Sequence, residues 1–99
     1  MTEKTFNEVR AEHMEQLIQF TPIVERVHGE NHPEFLEVHK VFNQLNNKLA
    51  ADEEEVDLNE EFQKLRELTN HYEVPHDVCE SYEAVYTMLE DLDQAYFKQ

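Results

Sequence analysis

The chain has 99 residues, 23 of them acidic and 8 basic, for a net charge of −15. That length makes one domain, residues 1–99, with one modest core, and a hydrophobic content of 39% is more than a disordered acidic tail carries. So acidic a chain lacks the basic face that nucleic-acid phosphates require, and it disfavours anionic membranes.

No apolar run approaches the roughly 18 residues of a membrane span, and no signal-peptide pattern opens the chain. A cytoplasmic location is therefore expected. A single cysteine, Cys79, excludes an internal disulfide and a Cys-rich zinc site.

Four apolar stripes with alternating steps of three and four predict four amphipathic helices and an all-α, antiparallel four-helix bundle. The first stripe is Phe6, Val9, His13, Leu17, Phe20, Val24 and Val27. Thr5 and Glu8 before it form a capping box. Pro22 falls inside it and predicts a kink or a break near Thr21. Gly29, the only glycine, predicts a left-handed residue that ends the helix.

The second stripe is Phe35, Val38, Phe42, Leu45 and Leu49, introduced by a second capping box, Asn31 and Glu34, with Pro33 in the first turn. From Ala50 to Val56 the run Asp52-Glu53-Glu54-Glu55 is too acidic for a core and predicts a solvated loop. It lacks the Asp/Asn/Gly alternation of a calcium loop. The third stripe, Leu58, Phe62, Leu65, Leu68 and Tyr72, follows a third capping box, Asp57 and Glu60. The fourth is Val78, Tyr82, Val85, Leu89, Leu92 and Tyr96, with Pro75 suited to its first turn.

Six histidines and Cys79 are the candidates for chemistry. His13 sits on an apolar stripe, where a hydrogen-bonded core histidine competes with a metal ligand that would need further donors from facing helices. His28 and His32 are four apart, but Gly29 and Pro33 prevent the continuous helix that would let them share a metal. His28 lies in a last helical turn, where a cation is favoured. His39 flanks the second stripe and predicts partial exposure. His76 and Glu80 have helix-face spacing but point away from the fourth stripe, as a surface pair would. Cys79 has no base or cation near it in sequence and reads as an inert, packed thiol. Tyr72, Tyr82, Tyr86 and Tyr96 read as core and rim residues with hydroxyls reaching water. There is no Gly-rich phosphate loop and no nucleophile elbow.

Two blocks carry a resemblance. The segment Val24-Glu25-Arg26-Val27-His28-Gly29-Glu30-Asn31-His32-Pro33 resembles the helix 1 to helix 2 corner of the RIC family, hemerythrin-like di-iron proteins linked to repair of iron–sulfur clusters after oxidative or nitrosative stress. The segment Leu68-Thr69-Asn70-His71-Tyr72-Glu73-Val74-Pro75, then Cys79, then Val85-Tyr86-Thr87-Met88-Leu89, is similar to that family's passage into its last helix. The resemblance implies a hemerythrin-like bundle with shortened second and third helices.

It also implies where iron ligands would fall. With Val27-His28-Gly29 fixing the register, the family's helix 1 histidine falls on Asn7 and its helix 3 histidine near Glu55. The segment bearing the helix 2 ligand pair is missing after Leu49-Ala50-Ala51-Asp52, and the chain stops at Tyr96-Phe97-Lys98-Gln99, where the last pair would begin.

A di-iron centre needs about six protein donors, so the expectation is a non-enzymatic helical module with no cofactor, acting through a protein partner or as a homodimer. Phe20, Tyr96 and Phe97 are the apolar side chains a second copy could cover. The alternative is an iron-binding stress-repair protein with a rebuilt His/Glu site, drawing its metal ligands from His13, His28 and His32. A third reading, an acidic decoy for a basic DNA-binding surface, rests on net charge alone.

Overall fold

Each apolar stripe centres on a helix in the computed structural model, which describes residues 5–51 and 57–98, although Leu58, Tyr72 and Val78 of the third and fourth stripes lie just outside their helices. The helices are α1 (Phe6–His28), α2 (Glu34–Ala50), α3 (Asn59–Thr69) and α4 (Glu80–Phe97). Among the described residues there is no strand, and no helix is long and apolar enough to cross a membrane. The expected acidic loop at residues 52–55 lies outside the described residues.

α1 packs against α4 and α2, and α2 against α3. Cross-helix pairs set the directions. Along α1 and α4, the Phe6 ring meets Tyr96, His13 meets Asp91, and His28 meets Tyr82. Arg10 donates to the Leu49 carbonyl while Glu25 meets His39. Lys48 reaches Glu61, and Arg66 reaches Asp93. The shared core includes Leu17, Val24, Phe35, Phe42, Leu45, Phe62, Leu65, Tyr82, Tyr86, Leu89 and Leu92, all buried.

The first stripe drifts out of this core. His13 and Phe20 are half-buried and Val27 is 58% exposed, while Met14 and Thr21 are buried in their place. His13, Phe20 and Val27 are spaced by seven, and a straight helix turns such a row by about 20° per heptad. Each successive member therefore sits further from the core.

Pro22 does not break α1, which runs through it. Pro22 and Ile18 are both exposed residues, so the missing helical bond falls on the outer side of α1 and not in the core.

The helix ends follow the sequence less closely. Thr5 caps α1 as its pattern predicts, accepting from the Glu8 amide at 3.2 Å. Asn31 does not cap α2. The N-cap is Pro33, and the amide of Phe35, in the first turn of α2, donates to the His32 carbonyl at 3.0 Å. Asp57 lies one residue before the α3 N-cap, Leu58, and its carboxylate accepts from the Asn59 amide at 3.0 Å. Pro75 lies in a ten-residue connection, 70–79, and α4 starts only at Glu80. His76 and Glu80 therefore do not share a helix face.

Gly29 is not left-handed, with φ −59° and ψ −30°. Its lack of a side chain answers a close approach instead. A Cβ there would collide with the Glu25 carbonyl oxygen and touch Leu36 Cδ2 at 3.4 Å.

The left-handed residues are Asn70, His71 and Tyr72, at φ 52°, 61° and 64°. Left-handed backbone costs a non-glycine residue roughly 1–2 kcal/mol, with Asn the mildest case. Here the cost is met by bonds. The His71 amide donates to the Arg66 carbonyl at 2.8 Å and the Tyr72 amide to Thr69 Oγ1 at 2.7 Å. The Tyr72 hydroxyl donates to Asp93 Oδ2 at 2.7 Å.

Urea unfolding checks both points. Gly29→Ala should lose about 1–3 kcal/mol through overpacking. His71→Gly, at an exposed left-handed position, should leave stability unchanged or raise it by up to about 1 kcal/mol. The opposite order would contradict this account of the two turns.

Candidate functional site

The chemistry-bearing side chains gather at two places. The first is the end of the molecule formed by the α1–α2 corner and the start of α4. His28 closes α1, and the next residues turn so tightly that the Asn31 and His32 amides both donate to its carbonyl, at 3.1 and 2.8 Å. The turn carries His32 to within 6.4 Å of His28, ring centre to ring centre.

Both rings lean on Tyr82, each at 5.5 Å. Tyr82 is in turn buried against Phe35 at 5.1 Å and Tyr86 at 4.8 Å. His32 Nδ1 lies 3.2 Å from Glu34 Oε1 and Nε2 lies 3.1 Å from Asp77 Oδ1. His28 Nε2 lies 3.1 Å from Cys79 Sγ. Cys79 is exposed, as the N-cap of α4. It is thus neither packed nor without a base, because the imidazole it meets comes from 51 residues earlier in the chain.

The second place is around α3, on the sides it turns to α4 and to α2. Asp93 is 2% exposed. Its carboxylate accepts from Arg66 Nε at 2.8 Å, from a second Arg66 nitrogen, and from the Tyr72 hydroxyl. Glu61, 4% exposed, is paired with Lys48 Nζ at 2.9 Å. Lys48 also donates to the Asp57 carbonyl at 3.1 Å, tying the end of α2 to the start of α3. These bonds hold the Lys48 ammonium and the Arg66 guanidinium more firmly protonated than usual, chiefly through their carboxylate partners.

The remaining candidates are dispersed. His13 is half-buried at the α1–α4 seam, with Nε2 3.0 Å from Asp91 Oδ2. His39 Nδ1 pairs with Glu25 Oε2 at 3.1 Å. His71 and His76 are exposed in the α3–α4 connection, and Glu80 is exposed at the first position of α4. Asn7, where the family register puts an iron ligand, is exposed; Glu55 lies outside the described residues.

Among the described residues, no three His, Cys, Asp or Glu side chains converge as a metal would require. His13, His28 and His32 are therefore not brought into one ligand set, and the donors present do not fit a di-iron centre. Within the corner motif, Gly29 and Pro33 shape the turn and Asn31 is exposed. Compared with known protein families, curated proteins and solved structures, the chain matches none.

The hydroxyls of Tyr72, Tyr82 and Tyr86 do not reach water as a rim position predicts. Tyr82 and Tyr86 bond to each other at 3.0 Å in the core, and Tyr72 to Asp93. Burial raises all three above the ordinary value of 10.0, with the Asp93 bond adding to the effect at Tyr72 and the Tyr86 bond at Tyr82. The neutral form is the one the fold keeps. Their contribution to stability is therefore complete below about pH 10 and is lost as pH rises beyond it, because the unfolded chain ionises first. In an alkaline titration read by tyrosinate absorbance, Tyr72, Tyr82 and Tyr86 should ionise only as the helices unfold. Ionisation near pH 10 with helicity intact would contradict their burial.

Proposed function

We propose that the chain is a shortened, antiparallel four-helix bundle of the hemerythrin-like kind, related to the RIC proteins of iron–sulfur cluster repair. It acts by protein–protein contact or self-association and not through a di-iron centre. The observation that carries this reading is the use already made of the buried acids. A di-iron bundle needs about six donors pointing inward. Among the described residues, Asp93 and Glu61 are the buried carboxylates, and Arg66 and Lys48 take their lone pairs. The rest of the described core is apolar apart from Thr21, Thr69 and the tyrosine hydroxyls.

Support for the topology comes from the pairs Phe6–Tyr96, His28–Tyr82, Arg10–Leu49, Glu25–His39 and Lys48–Glu61, each of which matches an early residue of one helix with a late residue of its neighbour. The helix lengths, 23, 17, 11 and 18 residues, leave α3 the shortest. Support for a contact surface comes from Ile18, Ile23, Val27, Leu36 and Phe97, all about half exposed. Phe20 and Tyr96 contribute less to it, since both pack partly into the core. Phe97 lies under the Arg66 guanidinium at 4.6 Å.

The alternative, an iron site rebuilt around His13, His28 or His32, has less support: His13 and His28 each meet one further donor, and the two carboxylates at His32 sit on opposite ring nitrogens, where one metal cannot join them.

Two measurements on tag-free protein test the proposal. Sedimentation across a wide concentration range should show reversible association that Val27→Lys and Phe97→Lys weaken. Anaerobic iron loading followed by metal analysis should give far less than one iron per chain. A strictly monomeric chain at high concentration that also captures no protein partner would refute the contact role, and stoichiometric iron with an oxo-bridged absorption spectrum would refute the rest.

A further inference from the structure

Cys79 and His28 meet from opposite ends of the sequence and from opposite kinds of helix end. Cys79 is exposed at the amino end of α4, and His28 is the last residue of α1. Their Sγ to Nε2 distance of 3.1 Å is within reach for proton transfer between a nucleophile and its base. The imidazole is held in place. Its edge meets the buried Tyr82 ring at 5.5 Å and 88°, and Tyr82 is fixed by Phe35 and Tyr86.

Moving the thiol proton to the imidazole puts a negative charge at a helix amino end and a positive one at a helix carboxyl end. Both are the signs that the helix dipoles favour. Two carboxylates flank Cys79 along the chain, Asp77 and Glu80. Asp77 is matched by His32 at 3.1 Å, and Glu80 is exposed to water.

We propose that Cys79 is a thiol–disulfide exchange site, with His28 as its general base and a small neutral or cationic disulfide as the reacting partner. The Cys79 thiol gives its proton to His28 Nε2, and the thiolate attacks one sulfur of the disulfide. A new S–S bond forms to Cys79 as the old one breaks. The departing thiolate takes the proton back from His28. One disulfide is consumed and one is made, so no outside oxidant is needed. The net charge of −15 repels anionic disulfides, which sets the preference for neutral or cationic ones.

The test uses the whole chain and neutral dithiodipyridine, whose thiopyridone product is read by absorbance. At neutral pH the folded protein should react about tenfold or more faster than the same chain in urea. Mass spectrometry should find one adduct per chain, absent from Cys79→Ser. His28→Gln should lose most of the advantage near neutrality and approach the unmutated chain at strongly alkaline pH, where the solvent supplies the base. A folded chain that reacts no faster than the unfolded one overturns the proposal, as does a folded His28→Gln protein with the full advantage. The first comparison needs no variant, so it decides the matter if His28→Gln fails to fold.

Discussion

One buried carboxylate ties the second half of the molecule together. Asp93 lies on the inner face of α4, and the two groups that grip it come from α3 and from the turn after it. A carboxylate so far from water is tolerable only when its lone pairs are met and its charge is answered. Arg66 answers the charge with a two-nitrogen grip. Tyr72 can add its hydroxyl only because residues 70–72 all take left-handed backbone, which turns the chain back over the end of α3. The connection that leaves this turn delivers Cys79 opposite His28. The exposed chemistry at one end of the molecule thus depends on a buried ion pair further along α4.

The rest of the charge is arranged on the same principle. With −15 to accommodate, the fold spends its few cations on the acids it buries, Lys48 on Glu61 and Arg66 on Asp93. Histidines take up several exposed or half-buried acids, in the pairs His13–Asp91, His32–Asp77 and His39–Glu25. A histidine engaged in this way stabilises a helix junction and is a poor starting point for a metal cage. His28 differs because its partner is a thiol.

The sequence carries the helices plainly, since Leu17, Val24, Phe35, Phe42, Leu65 and Leu89 recur at a period that only a helix can bury on one side. It carries the turns less well. A lone glycine invites a left-handed assignment, yet Gly29 is there because the Glu25 carbonyl leaves no room for a Cβ. The true left-handed run is Asn70-His71-Tyr72, of which only Asn70 has a local preference for it. His13 and Val27 mislead because a seven-residue row rotates off the core of a straight helix. Pairings between distant residues are not written in local pattern at all. The sequence separations of 51 between His28 and Cys79, and of 27 between Arg66 and Asp93, are closed by tertiary packing. Asp93 is one of two aspartates flanking Leu92, and Arg66 one of two cations flanking Leu65, so local pattern singles out neither.

A double-mutant cycle on Arg66 and Asp93, followed by urea unfolding, tests the dependence on the buried carboxylate most directly. Arg66→Met alone strands the charge, and its cost should be on the order of 2–3 kcal/mol, the lower part of the range for a broken buried pair because Arg66 itself is 38% exposed. Adding Asp93→Leu should recover part of that loss, so that the double variant is more stable than Arg66→Met alone. Costs that simply add, with coupling below about 0.5 kcal/mol, would mean that the pair is incidental and that the turn at residues 70–72 is held by something else.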